Sequence, residues 1–206
     1  MISINAASLN KKENYKLLSG SVIPRPIAFV TSMDSEGTLN AAPFSFFNVV
    51  SAEPPMIAFS VGRVDGKMAK HTSRNILKNK EFVVHIVDET ILHEMNQTAA
   101  PYEDGISEVD KVNLTSIDSE KVTVPSLKEP KIRMECRLSQ SIPLGKDGVY
   151  SNDLLIGEVL CYHFDEAVYE DGKIIAEALN PVARLAGPNY ANLGNYQTIA
   201  RPTDTK

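Results

Sequence analysis

The chain has 206 residues, an apolar fraction of 43% and a formal net charge of −5, the composition of an ordinary globular protein with enough chain for one substantial core. The acidic balance argues against a phosphate-backbone footprint, so nucleic acid is not expected as a partner. No apolar run reaches the length of a membrane span, the N-terminus lacks a basic segment followed by an apolar one, and Cys136 and Cys161 sit in strand-like runs. A cytoplasmic, non-membrane protein with reduced thiols is expected.

Residues 8–20 predict one or two helical turns ended by Gly20. Pro24 and Pro26 then hold the entry to the core extended and present Arg25 on a stiff segment, for a carboxylate, a ligand or an interface. Residues 27–31 read as a strand, Asp34-Ser35-Glu36-Gly37 as a turn, and residues 39–44 as the returning strand. Pro43 donates no amide hydrogen, so that strand is expected to be bulged, at an edge, or finished there. Pro54-Pro55 forces a second turn, and residues 56–61 form a third strand. Between the second and third strands lies Ser45-Phe46-Phe47-Asn48, read as a turn. Its two phenylalanines either plug the end of a barrel or wall a flat aromatic ligand whose polar edge meets Ser45 and Asn48.

Residues 63–67 read as a loop. A helix is predicted to start at Thr72, capped by Thr72 or Ser73, and to end before Glu81. Its unpaired first amides, with Lys70 just upstream and Asn75 in the first turn, make an anion seat. Residues 81–87 are a strand, and Asp88 caps a helix reaching about residue 99. His85 and His93 fall on different elements with no HExxH, so no metal site is expected. Residues 100–129 are irregular, as in a functional flap or an excursion over a neighbouring subunit. Residues 132–142 alternate as a half-buried strand, 143–152 read as a loop around Gly145 and Gly148, and 153–164 form a long strand in which Gly157 marks a bulge or a close approach. Arg184, in an apolar run, needs a carboxylate or an anionic ligand for its guanidinium. Residues 202–206 are expected to fray. Inserted rather than alternating helices, with no GxGxxG and no GxxxxGK[ST], argue against a Rossmann fold.

Five segments taken together resemble the flavin-reductase-like, FMN-binding split-barrel family, which includes flavoredoxins and flavin or ferric reductases. They are residues 25–32 (RPIAFVTS), 40–48 (NAAPFSFFN), 54–60 (PPMIAFS), 70–76 (KHTSRNI) and 180–185 (NPVARL). The resemblance spans about residues 22–190 and implies that all 206 residues form one FMN-binding domain, mainly β with inserted helices, built as a six-stranded Greek-key split barrel. It also implies a homodimer with FMN near the subunit interface. On it, Ser45, Phe46, Phe47 and Asn48 line the isoalloxazine and ribityl, while Thr31, Ser32, Ser60, Val61 and Gly62 border the flavin. Lys70, Thr72 and Asn75 hold the phosphate, and Arg184 closes the site or meets a nicotinamide. Two positions depart from the family pattern: His71 stands where an aspartate is common, and Ala186 where a glycine is. The activity implied is NAD(P)H-dependent reduction of flavin or of a small acceptor such as a ferric complex. The alternatives are a flavoredoxin-like electron carrier without a nicotinamide site, and a non-enzymatic flavin-binding module.

Overall fold

Period-two alternation and Pro/Gly punctuation do produce strands. The computed structural model, which describes residues 1–64, 68–103, 105–200 and 202, is mainly β with a few helices. Its strands are β1 (Arg25–Pro26), β2 (Ala28–Met33), β3 (Leu39–Phe44), β4 (Phe47–Ala52), β5 (Pro55–Val64), β6 (Met68–Ala69), β7 (Glu81–Ile86), β8 (Ser116–Ile117), β9 (Ser126–Leu127), β10 (Ile132–Lys146) and β11 (Val149–Phe164). Four short ones follow: β12 (Tyr169–Glu170), β13 (Lys173–Ile174), β14 (Ala183–Arg184) and β15 (Tyr190–Ala191). The helices are α1 (Lys11–Ser21), α2 (His71–Asn79), α3 (Leu92–Gln97) and α4 (Ala176–Leu179). The loop expected at 63–67 falls partly outside the described residues, as does most of the frayed end; Arg63 and Val64 belong to β5.

The main sheet is antiparallel and runs β3-β2-β7-β10-β11-β5-β4, with β6 added on β5. Its two outermost strands, β3 and β4, are consecutive in the chain and joined only by Ser45 and Phe46. The sheet therefore curls back on itself, with no ladder between β3 and β4: a barrel with a seam. Seven strands plus β6 replace the six expected. Pro43 lies on β3, an outermost strand, where its missing donor costs no ladder bond.

The alternation of side chains across the sheet divides the core in two. Phe29 and Val83 pack with Val87, Ile91, Met95, Val122 and Leu127 on one face. Ala28, Val30, Phe82 and Val84 pack with Phe44, Phe59, Val61 and Leu155 on the other. Burying one such Phe, Leu or Val contributes about 1.5–3 kcal/mol. Gly157 marks the close approach expected of it: a Cβ there would lie 2.3 Å from Phe82 Cζ, so any side chain displaces a fully buried ring.

Two segments differ from the sequence reading. Only residues 45 and 46 form the connection read as a turn; Phe47 and Asn48 start β4, with Phe47 opposite Phe59 and Asn48 opposite Ala58. This strand escapes its pattern because Val49 and Val50 both stay exposed, so the run carries no in-and-out rhythm. The loop expected at 143–152 is the tip of a hairpin. Lys146 pairs with Val149 across Asp147 and Gly148, both at positive φ (52° and 77°), which is a two-residue Asp-Gly turn. The part of the irregular stretch from Val109 to Leu127 contributes Val109, Val122, Val124 and Leu127 to the core. Its anchors are polar: Leu127 N–H donates to His85 Nε2 (2.9 Å), and Glu135 accepts the amides of Glu120, Lys121 and Val122 (2.8, 2.5 and 3.1 Å).

Candidate functional site

Helix α2 starts with an unusual cap. Lys70 occupies the N-cap position and its side chain makes no capping hydrogen bond. The hydroxyls expected to cap are used elsewhere: Thr72 Oγ1 donates to Asn40 Oδ1 (2.7 Å) and Ser73 Oγ to Asp153 Oδ2 (2.8 Å). The positive end of the helix macrodipole is left facing outward, beside a lysine.

That helix start opens into a cavity of about 350 Å³. Its walls include Pro43 and Phe44 of β3, Lys70 and Thr72, and Tyr102 and Glu108 from the irregular segment. Behind the wall runs a buried polar network centred on Asn40. Its Oδ1 accepts from Thr72 and from Ser32 Oγ (3.3 Å), its Nδ2 donates to Glu108 (2.5 Å), and Asn75 Nδ2 donates to Ser32 Oγ (3.3 Å). Glu108 also accepts the Ala41 amide (3.0 Å). Burial pushes the Glu108 carboxyl upward, against the hydrogen bonds from Ala41 and Asn40 that favour its charged form.

The first turn of α2 is held from below. Asp153, 3% exposed, accepts from Ser73 and receives Arg63 through Nε (3.1 Å) and Nη2 (2.5 Å). The Asp153 hydrogen bond raises the Arg63 pKa above its ordinary value. A two-pronged guanidinium on a buried carboxylate fixes β5, β11 and α2 relative to one another.

Of the residues singled out from sequence, Lys70 and Thr72 line the cavity, and Thr72, Ser32 and Asn75 meet in the Asn40 network. Thr31 is fully buried and donates to Pro125 O (2.8 Å), while Val61 is core. Ser60 accepts from Asn152 (3.0 Å), and Gly62 pairs with Asn152 in the ladder. Ser45, Phe46, Phe47 and Asn48 form a separate, more exposed surface at the sheet seam. Arg184 stacks on Tyr190, its guanidinium carbon 4.5 Å from the ring centroid, and donates to the Tyr190 hydroxyl and to Gly187 O (2.7 Å). Sequence reasoning missed Asn40 and Glu108 as site residues; an amide side chain inside the apolar run of β3 was the available signal.

Among the described residues one group carries metal-ligating atoms close together: Glu135, Cys161 and His163. Glu135 already accepts three amides and faces His163 Nε2 at 2.6 Å, so it serves as the anchor of residues 120–122. Burial pushes this carboxyl up, but those amides and His163 outweigh it, and its pKa is lowered.

Comparison with known proteins agrees with this architecture. Residues 19–182 match the model of the flavin reductase like domain. The nitrilotriacetate monooxygenase component B of Bacillus cereus is 51% identical, with a TM-score of 0.94 over 97% of this chain and 98% of its own. The 2-nitrobenzoate 2-nitroreductase NbaA of Pseudomonas fluorescens is 32% identical, with a TM-score of 0.87 over 98% and 97%. A split-barrel protein of Shewanella frigidimarina shares the fold at 20% identity, with a TM-score of 0.82 over 95% and 96%. Among the described residues no helix is long and apolar enough to cross a membrane.

Proposed function

Because the chain belongs to the flavin reductase-like family, we propose that it binds FMN and transfers electrons from NAD(P)H to flavin or to a small acceptor. The observation that carries this reading is the uncapped start of α2, flanked by Lys70 and opening into a cavity of about 350 Å³. A helix start with its macrodipole and a lysine suit a phosphate; the apolar wall of Pro43 and Phe44 suits the riboflavin portion. FMN, when bound, supplies the two-electron chemistry, so no side-chain acid or base is required.

In this reading Lys70 and the first amides of α2 hold the phosphate. Thr72 and Asn75 keep that turn in place through Asn40 and Ser32. Ser45, Phe46, Phe47 and Asn48, at the seam, meet the ring, with Thr31, Ser32, Ser60, Val61 and Gly62 supporting the strands behind it. Arg184 faces the second substrate. The protein works as a homodimer. This is supported by β4, an outermost strand with Val49 and Val50 69% and 53% exposed, and by the β10–β11 hairpin, which carries Ile142, Leu144, Val149 and Tyr150 outward. Such surface is costly to leave in water and suits a second copy.

Purified protein is expected to be yellow or to turn yellow with FMN, and to bleach anaerobically on adding NADH or NADPH. FMN should bind more tightly than riboflavin. Lys70→Ala should weaken FMN about tenfold, the loss of one charge-assisted contact of about 1.4 kcal/mol, and leave riboflavin unchanged. Equal affinity of wild type for FMN and riboflavin would remove the phosphate seat from the proposal. Bound flavin that neither nicotinamide bleaches would leave an electron carrier.

A further inference from the structure

The β1–β14 ladder contains an arrangement that sheets ordinarily avoid. Arg25 and Arg184 are direct partners across two antiparallel strands, so their side chains leave on the same face. Like charges placed this way repel, and a carboxylate between them is the usual remedy. Among the described residues neither guanidinium has a carboxylate partner.

Both groups are held firmly all the same. Arg25, 6% exposed, donates through Nη1 to Ser19 O (2.5 Å) and Val22 O (2.6 Å) and through Nη2 to Leu185 O (3.0 Å). Ser19 and Val22 close the C-terminal end of α1, so the negative end of that helix offsets part of the charge. The Arg25 Nε remains buried without an acceptor. Arg184, half-buried, is fixed flat on Tyr190. Two positive charges are thus positioned side by side on a chain of net charge −5. Next to them lies an aromatic surface: the Arg25 guanidinium carbon is 6.0 Å from the centroid of Phe46, which is 39% exposed, and Tyr15 is 6.2 Å from Phe46.

A cationic pair beside open phenyl and phenol rings matches one ligand chemistry, a planar organic acid. We infer that Arg184 and Arg25, with Phe46 as the apolar floor, form a subsite for the carboxylate of such an acid. Arg184 makes the direct contact through its guanidinium edge. Arg25 adds its charge from behind and fixes the Leu185 carbonyl next to it. The paired positive charge then has a counter-ion that the chain itself does not provide. That the acid is a substrate rests on the flavin reading; that the subsite binds a carboxylate does not.

The test uses the full chain and three probes: benzoate, its neutral isostere benzamide, and pyrophosphate. Binding is read by calorimetry on flavin-free protein and, separately, as a difference spectrum on FMN-loaded protein. Benzoate is expected to bind at least tenfold more tightly than benzamide and to weaken as salt rises. Arg184→Gln should lose at least tenfold for benzoate while Arg184→Lys keeps part of it. Phe46→Ala, at an exposed position, should weaken benzoate but not acetate, so the proposal stays open to test if the arginine variants fold poorly. Equal affinity for benzoate and benzamide would overturn it. So would benzoate binding unaffected by Arg184→Gln, or pyrophosphate binding better than benzoate, which would assign the pair to the phosphates of a dinucleotide. Failure of FMN to bind sinks the functional proposal alone, because the flavin-free titration still reports on the subsite.

Discussion

Asp153→Ala should be among the most destabilising single substitutions in this chain, at about 3 kcal/mol. Asp153 is a buried carboxylate that satisfies both a two-pronged Arg63 and the hydroxyl of Ser73. Removing one member of a buried pair costs about 3–5 kcal/mol, because the other charge stays behind without its partner. The lower end applies here, since the Arg63 side chain keeps 19% of its surface in water and can turn outward. For a chain of this size, that loss lowers the melting temperature by roughly 6–12 °C. A second effect follows from position. Ser73 lies in the first turn of α2, so FMN affinity should fall along with stability. Arg63→Leu would leave Ser73 and Asp153 in place but strand the carboxylate, and should destabilise comparably. A melting temperature within 2 °C of wild type for Asp153→Ala, about 1 kcal/mol or less, would show that water replaces both contacts.

Acid should unfold the protein through His85. This side chain is fully buried between β2 and the irregular segment: Nδ1 lies 2.9 Å from Phe29 O, and Nε2 accepts from Leu127 N. An imidazole that accepts at Nε2 and donates at Nδ1 is neutral. Burial is the main cause that lowers its pKa from 6.5 to about 4, with the Phe29 carbonyl working weakly the other way. The unfolded chain therefore binds a proton at a higher pH than the folded one. The stabilisation is complete above about pH 6.5 and is lost as pH falls toward 4, a total of about 3 kcal/mol. Urea unfolding at several pH values should show this slope in wild type. His85→Gln, lower in absolute stability, should lack it between pH 6.5 and 4. Parallel curves for the two proteins would assign acid sensitivity to other groups. Glu108 opposes the trend, since a carboxyl raised by burial gains relative stability as pH falls.

The strands at 28–33 and 81–86 were legible as short runs rich in β-formers because both their faces are buried, and the inner part of β10 because Ile132, Met134 and Cys136 alternate with charged residues. β4 was not, since its valines face outward. The hairpin tip was hidden by Pro143, Gly145 and Gly148, which read as loop although Asp147-Gly148 is a strong two-residue turn signal. The start of α2 could be read within a few residues, because Lys70 and two hydroxyls stand just before an apolar stripe. What those hydroxyls do could not be read. Asn40 and Glu108 are 68 residues apart and Ser73 and Asp153 are 80 apart, and only the folded sheet brings each pair within hydrogen-bond reach. Arg25 and Arg184 were each visible as needing a partner; that they stand opposite one another is a property of the ladder.

Glu135 belongs to β10, yet it carries three consecutive amides of a segment that has almost no ladder of its own. Those amides cannot find their acceptor until the central strands have assembled around it, so this stretch orders late and loosens only with the sheet. Deuterium uptake at residues 120–122 should then be as slow as at the middle of β10, an unexpected place on a coil for protection of that kind.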